Sequence, residues 1–529
     1  MLEKKVEKNK KRVILVGINP NKVHGSAIYY LKAYVEKYEE IKQDYDIFIR
    51  VFNSLIPEQS NGIDLIIRKI VDYKPDVVAV SCYCWNIEIT LKVIRTIKTI
   101  IPQVIIILGG PEVSGDSDRY LEENKSIDYI IDGEGELAFY EFLLAMSGKV
   151  SDIKDVHSLV YRNFDGIIVH NKCKILEDIN DIPSIYNEDY LNPDIIGKTF
   201  YSYETKRGCQ YKCQYCFHHG GIHCIREFDI ERVKKEILYL LNSKLEYIWI
   251  VDPCFNENEE RAIEILKVIQ EHNINGIEFG FEIRNETLSE RIIYEFSKIS
   301  SVRFIAMGLQ TLNIDALKLI NRDFNKSKFD DNMKIIRRYF SEPDQIHIDL
   351  IFGLPNTTLQ DYMDSIDYCI NLGAVIFTQP LKVLSGTELK NRECEFDFVV
   401  NDISPHEVIA NSTFSYEDMC IAKNINLGLY LFQLSTVIRG WIEEVQNETQ
   451  MMYSQIFRCL GDYFWKEDKY YLFMNYVKYD LEFILNEVKD ALSVIFGKVV
   501  EVDSENSYDQ KVQIDWGSIS NLLDYSEGL

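Results

Sequence analysis

Short, continuously apolar runs alternate with amphipathic stretches over the first 150 residues. Val13 to Ile18 reads as a strand, followed by a helix near Ser26 to Lys37, and Tyr45 to Asn53 precedes a helix from Gly62 to Tyr73. Val77 to Ser81 precedes a helix near Ile87 to Thr99, and Val104 to Leu108 runs into Gly109, Gly110 and Pro111. This rhythm predicts a doubly wound parallel sheet, which binds its ligands at the carboxyl ends of the strands. The sequence places Asn19, Pro20 and Asn21 at one such end, Ser81, Cys82 and Tyr83 at the next, then Gly109, Gly110, Pro111 and Glu112. Gly133, Glu134, Gly135 and Glu136 follow a further apolar strand at the same edge. Glycines in these positions also serve simply to turn the chain.

From 151 to 195 the pattern breaks into short β-like pieces and an acidic, proline-containing stretch, Ile175 to Ser184, which reads as a linker. A second α/β series occupies 196–392. Strands are expected at Thr199 to Glu204, Tyr247 to Val251, Ile277 to Glu282, Val302 to Met307, Ile346 to Phe352 and Val375 to Gln379. They are separated by helical segments such as Ile230 to Leu241 and Arg261 to His272, and six βα units suffice for a partial barrel. Residues 393–529 form a mainly helical third region, in which Tyr463 to Phe496 is amphipathic and rich in aromatics.

Composition narrows the class. Of 529 residues 46% are hydrophobic and 27% charged, as in globular proteins, and the balance of 58 basic against 83 acidic residues gives a net charge of −25. That field repels phosphodiester backbones, so nucleic acid is a disfavoured partner. No apolar run has the length of a membrane helix, and the basic start of the chain lacks the apolar core of a signal peptide, which points to a soluble, cytoplasmic protein. Twelve cysteines are too sparse for a disulfide framework, and their spacing directs attention to metal ligation.

Cys209, Cys213 and Cys216 stand together in Lys206-Arg207-Gly208-Cys209-Gln210-Tyr211-Lys212-Cys213-Gln214-Tyr215-Cys216, directly after the first strand of the second series. A structural zinc site would need a fourth ligand, from His218, His219, His223 or Cys224, to close its tetrahedron. Three thiolates on a four-iron cluster would instead leave one iron open at the top of a barrel.

This spacing, with Tyr215 before the last cysteine, resembles the signature of the radical S-adenosylmethionine (SAM) enzymes. The resemblance implies a [4Fe–4S] cluster on Cys209, Cys213 and Cys216, whose open iron chelates SAM and whose electron splits the sulfonium to a 5′-deoxyadenosyl radical. Later segments continue it. Asp252, in Val251-Asp252-Pro253-Cys254-Phe255-Asn256, resembles a residue near the SAM amino group. Glu282 and Arg284 in one strand end, and Gln310 in Gly308-Leu309-Gln310-Thr311, resemble contacts to the SAM carboxylate and ribose. Gly353, in Asp349-Leu350-Ile351-Phe352-Gly353-Leu354-Pro355, resembles the segment beside adenine, although Asn356-Thr357-Thr358 replaces the usual Gly-Glu-Thr.

Residues 1–150 resemble the Rossmann-like cobalamin-binding domain that precedes the radical barrel in one subclass. The resembling segments hold Asn19, Pro20, Asn21, Gly109, Gly110, Pro111, Glu112, Gly133 and Glu134, and Ser81, at its strand end, is a further candidate to meet the cobalamin. No Asp-x-His-x-x-Gly occurs, so a histidine below cobalt is not expected. The resemblance implies methylation of an unactivated carbon through methylcobalamin and the 5′-deoxyadenosyl radical, with an external flavodoxin or ferredoxin as electron donor and a small molecule or peptide as substrate. A cyclisation or rearrangement with the same cofactors, and a non-catalytic cobalamin-binding protein, are the competing readings. Cys224 and Cys254 are candidate radical quenchers or proton donors, weighed against plain packing. No second CxxC set marks an auxiliary cluster.

Overall fold

The computed structural model describes residues 10–19, 23–53, 62–148, 152–191, 200–340, 345–470 and 481–497. Pro20, Asn21 and Thr199 lie outside the described residues.

The first eight strands are β1 (Lys11–Asn19), β2 (Val23–His24), β3 (Tyr45–Asn53), β4 (Val77–Ser81), β5 (Ile105–Gly109), β6 (Tyr129–Ile131), β7 (Leu159–Arg162) and β8 (Ile168–His170). Seven make one sheet in the order β3-β1-β4-β5-β6-β7-β8. Pairing is parallel from β3 through β6 and antiparallel at β7 and β8. From β1 the chain steps outward to β3 on one side and to β4 on the other, so the strand order reverses at the β1/β4 crevice, where doubly wound folds take their ligands. Helices α1 (Ala27–Glu36), α2 (Glu39–Asp44), α3 (Gly62–Val71), α4 (Ile87–Ile100), α5 (Ser117–Glu123) and α6 (Gly135–Ser147) accompany these strands.

The central strands are apolar throughout because both their faces are covered. Ile14, Val16, Val78, Val80, Ile106 and Leu108 share a core with Ile66 and Ile70 of α3 and Val93, Ile94 and Ile97 of α4. Val13, Leu15 and Ile107, alternating with them, are buried on the opposite face. Each such side chain contributes about 1.5–3 kcal/mol by leaving water.

Part of the stretch expected as a linker is sheet. Val160 of β7 pairs with Ile130 of β6, and Tyr161 with Val169 of β8. Leu159 and Val160 are buried, so these short strands cover what would otherwise be an exposed sheet edge. The sequence shows them as short β-like pieces, but their brevity leaves their place in the sheet unmarked.

The second series comprises β9 (Phe200–Tyr203), β10 (Lys206–Arg207), β11 (Arg226–Glu227), β12 (Tyr247–Ile250), β13 (Glu278–Ile283), β14 (Val302–Gln310), β15 (Ile346–Phe352) and β16 (Val375–Pro380). The chain divides into two compact units, one of Met1–Glu282, Lys298–Ser301 and Leu384–Asn391, the other of Ile283–Ser297, Val302–Val383 and Arg392–Leu529. Within the first, β2, β9, β12 and β13 pair in parallel in that order. Within the second, β14, β15 and β16 pair in parallel. The six expected barrel strands are thus β9 and β12 to β16. Their helices begin at side-chain caps: Asp229 accepts from the Glu231 and Arg232 amides, Asn258 from Arg261, Asn325 from Lys328, and Thr358 closes a capping box with Asp361.

The C-terminal region holds a small antiparallel pair, β17 (Val399–Val400) and β18 (Val408–Ala410), and then helices Tyr416–Leu434, Thr436–Thr449, Tyr453–Lys466 and Leu481–Phe496. The amphipathic stretch Tyr463 to Phe496 includes parts of two of these helices. Its first residues close the helix Tyr453–Lys466, after which Asp468 takes a positive φ of 53°. Among the described residues no helix is long and apolar enough to cross a membrane.

Candidate functional site

Residues 208–225 form a loop closed at its neck by the antiparallel pair β10–β11, where Lys206 faces Glu227 and Arg207 faces Arg226. Gly208 makes the closure possible. Its φ is +92°, and a Cβ there would fall on the Cys224 carbonyl, so a residue with a side chain would spread the neck. Inside the loop the Cys209 amide donates to Ile222 O at 3.2 Å and the Cys216 amide to Cys213 O at 3.1 Å. Cys209, Cys213 and Tyr215 are half-buried. The Leu389 amide donates to Gln214 O at 3.0 Å, so the segment Leu384–Asn391 is stitched to the same loop.

The thiol of Cys216 is pushed up to about 11, first by desolvation and then by Cys213, Cys209 and Glu282, against a lowering bond from the His218 amide. Neighbouring thiols and a carboxylate raise the proton affinity of Cys216 when no cation stands among them, and a cationic iron cluster would reverse that. Among the described residues, no three His, Cys, Asp or Glu side chains stand together as a ready-made metal cage. The case for a metal cluster therefore rests on the donor set, which fits it: soft thiolates, one closed loop, and fewer protein ligands than irons. As for a zinc closure, Cys224 is exposed, the His223 Nδ1 lies 3.2 Å from Cys209 O, and the His219 side chain is outside the described residues.

Below the loop, Asp252 is buried and its carboxylate accepts from the Thr205 amide at 2.7 Å, the Thr205 hydroxyl at 2.5 Å and the Lys206 amide at 3.3 Å. Burial pushes Asp252 up to about 6, with the Thr205 bonds and Lys206 opposing and Glu204 assisting. Lys206, also buried, donates to Cys254 O at 2.8 Å and Glu257 Oε2 at 2.7 Å. Cys254 is buried with its thiol 3.4 Å from Asn256 Oδ1. Asp252, expected near the SAM amino group, thus braces the strand that leads into the cysteines.

The sequence does not reveal the ion pairs at the neck. Arg226 donates to Glu134 through two parallel bonds, Nη1 to Oε2 at 2.8 Å and Nη2 to Oε1 at 2.5 Å. Arg207 donates to Glu136 Oε1 at 2.8 Å and to Glu204 Oε1 at 2.9 Å. Burial alone would raise Glu136, but the charge and hydrogen bond of Arg207 outweigh it and hold the carboxyl below its usual range. The carboxylate of Glu134, a residue expected at the corrin, is engaged with Arg226. The sequence signal for these pairs is no more than Arg and Glu flanking the two motifs.

The remaining SAM candidates lie in the second unit, apart from Glu282, which belongs to the first. Arg284 is buried, 3.2 Å from Glu286 Oε2, and donates to Asp323 O at 3.3 Å. Gln310 sits at a β-bulge between β14 and β15 with φ 72°, and its Oε1 is buried without a hydrogen-bond partner among the described residues. Gly353 has φ 77°, its carbonyl accepts from Asn411 at 2.8 Å, and Met419 of the C-terminal helix Tyr416–Leu434 packs against it.

At the N-terminal sheet the register aligns Gly17, Ser81, Gly109 and Ile131, so the expected corrin residues share one edge. Asn86 donates to Ile18 O at 3.0 Å and Ser81 O at 2.9 Å, pinning the ends of β1 and β4. Gly110 has φ 106°, and a Cβ there would stand 2.5 Å from Cys82 O. Glu112 is buried and accepts from the Tyr120 hydroxyl at 2.9 Å, Pro111 is exposed, and Asn19 is buried. Cys82 is buried and its thiol points to Val80 O, as packing requires. Tyr83 stacks on Trp85 at 4.4 Å, and the Trp85 Nε1 is buried without a hydrogen-bond partner among the described residues. Gly133 has φ 109° and open space where a Cβ would stand. Side-chain-free backbone, open space and an unpartnered donor along one edge fit a large planar ligand.

A doubly wound domain with such an edge is followed along the chain by α/β strands and a three-thiol loop. Residues 13–143 match the B12 binding domain model and residues 203–369 the Radical SAM superfamily model. The chain thus carries matches to a B12 binding domain and, further along, to the Radical SAM superfamily. It is 28% identical over 376 residues to the cobalamin-dependent radical SAM methyltransferase TokK of Streptomyces tokunonensis, an alignment covering 69% of this chain and 54% of that relative. The chain thus spans about half the length of the curated relatives it matches. In fold it is similar to the cobalamin-dependent S-adenosylmethionine radical enzyme OxsB with aqua-cobalamin bound (TM-score 0.67, 15% identity, 98% of this chain and 84% of that one). It is also similar to the radical S-adenosylmethionine methyltransferase TsrM from Kitasatospora setae (TM-score 0.59, 16% identity, 73% and 75%).

Proposed function

We propose that the protein is a cobalamin-dependent radical SAM methyltransferase that transfers a methyl group to an unactivated carbon of a small molecule or peptide. One observation carries the reading: a B12-binding domain and a three-cysteine loop belong to one compact unit of one chain. When bound, cobalamin supplies a methyl carrier and the cluster supplies the electron that cleaves SAM. Cys209, Cys213 and Cys216 would hold the cluster, and the missing fourth thiol leaves a position for SAM. Asp252 and Lys206 fix the strand ahead of these ligands, while Glu282, Arg284, Gln310 and Gly353 are the candidates to orient SAM. Asn19, Ser81, Gly109, Gly110, Pro111, Glu112 and Gly133 offer a flat edge to the corrin, and Pro20 and Asn21 join them by sequence. The protein's further task is to keep water from a radical that would take any nearby hydrogen. A low-potential flavodoxin or ferredoxin and a cytoplasmic setting complete the proposal.

The test is anaerobic reconstitution with iron, sulfide and cobalamin, followed by SAM carrying a labelled methyl group. Formation of both S-adenosylhomocysteine and 5′-deoxyadenosine supports methyl transfer. Formation of 5′-deoxyadenosine alone favours a rearrangement, and formation of neither overturns the reading.

A further inference from the structure

We propose that Glu134, Glu136, Arg207 and Arg226 are positioning residues: a buried ionic clamp that seats the neck of the cysteine loop on the carboxyl end of β6 and so sets the separation of cobalamin and cluster. The inference rests on the two-cofactor reading above. Both arginines come from the neck, one from each strand of the β10–β11 pair, while Glu134 is the N-cap of α6 and Glu136 lies in its first turn. Arg207 stands two residues before Cys209, and Glu134 directly follows Gly133 at the corrin edge.

The members are almost dry: the arginine side chains are 7–8% exposed and the glutamates 6–12%. A buried ion pair of this kind is a poor device for stability, since its desolvation cost of several kcal/mol offsets the attraction and apolar residues of similar volume serve as well. It is a good device for geometry. Two parallel Arg226–Glu134 bonds fix both distance and angle, and a third from Arg226 to Leu176 O at 2.7 Å fixes the guanidinium itself. The carboxylates also meet the positive end of α6, which favours them there. With Glu204 the group holds three carboxylates and two guanidiniums, so neutralising one carboxylate balances the charge and leaves no cation without a partner.

Two variants of the full chain test this: Glu136→Gln, and the apolar pair Glu134→Leu with Arg226→Met. Each is reconstituted with iron, sulfide and cobalamin, its metal and corrin contents are measured, and the magnetic dipolar coupling between cob(II)alamin and the reduced cluster is recorded. The clamp predicts unchanged contents in both, with a coupling that shifts and broadens in the apolar pair and shifts less in Glu136→Gln. An unchanged coupling in Glu136→Gln overturns the clamp, whether or not the apolar pair folds. Loss of corrin or iron from Glu136→Gln also overturns it, by making these carboxylates part of a ligand site. A wild-type chain that loads only one of the two cofactors overturns instead the functional reading beneath.

Discussion

The cysteine loop and the edge of the N-terminal sheet proposed for the corrin are built from very different lengths of chain. All three thiols fall between Cys209 and Cys216, on a loop whose neck is closed by two-residue strands. That proposed edge collects Asn19, Ser81, Gly109 and Gly133 from four strand ends spread over more than a hundred residues. The first is specified by local spacing and one glycine, the second by sheet register. Single substitutions should therefore remove one cofactor cleanly and leave the other in place.

The sharpest break is Cys213→Ala, which should abolish iron retention and 5′-deoxyadenosine formation while cobalamin remains bound; parallel loss of both would erase the distinction. Gly208→Ala should come next. Its φ of +92° and the Cys224 carbonyl in the path of a Cβ add backbone strain of about 1–3 kcal/mol to a clash, so iron content and thermal stability should both fall. The mirror experiment is Gly110→Ala, where φ is +106° and a Cβ would meet Cys82 O at 2.5 Å. Cobalamin affinity should drop and iron content should hold, as read by absorbance after gel filtration.

A further effect, on stability and not on cofactor content, concerns pH. Burial raises Asp252 to about 6 from its ordinary 3.8, so between these values the folded chain binds more protons at this site than the unfolded chain. The contribution is fully present below the unfolded value and is lost as pH rises through about 6, each tenfold difference in proton affinity being worth about 1.4 kcal/mol. Wild-type stability relative to Asp252→Asn should accordingly decline from pH 4 to pH 6, measured by denaturant unfolding. A flat difference would show that Asp252 keeps its solvent-like proton affinity.

What is legible in the sequence follows the same division. Val77 to Ser81 is a strand with the expected ends, because a fully covered parallel strand writes itself as an unbroken apolar run, and the edge strand Tyr45 to Asn53 keeps its expected ends although Asp46 and Arg50 interrupt its apolar residues. The cysteine loop is legible because its spacing is local. The ion pairs are not, since 92 residues separate Glu134 from Arg226 and 71 separate Glu136 from Arg207, and nothing local marks an exposed charge from a buried one. Asp252 shows a further gap: its position at a strand end is readable, but the direction of its carboxylate, onto Thr205, is set by packing. Strands β7 and β8 are too short to declare their partner.

The account turns on a cluster iron that no protein side chain occupies. The most direct test is electron–nuclear double resonance on the reduced, anaerobically reconstituted protein with SAM labelled at its amino nitrogen. The account predicts a [4Fe–4S] signal with hyperfine coupling to that nitrogen, lost in Cys213→Ala. Zinc at the three thiols, or a cluster signal indifferent to SAM, would contradict it.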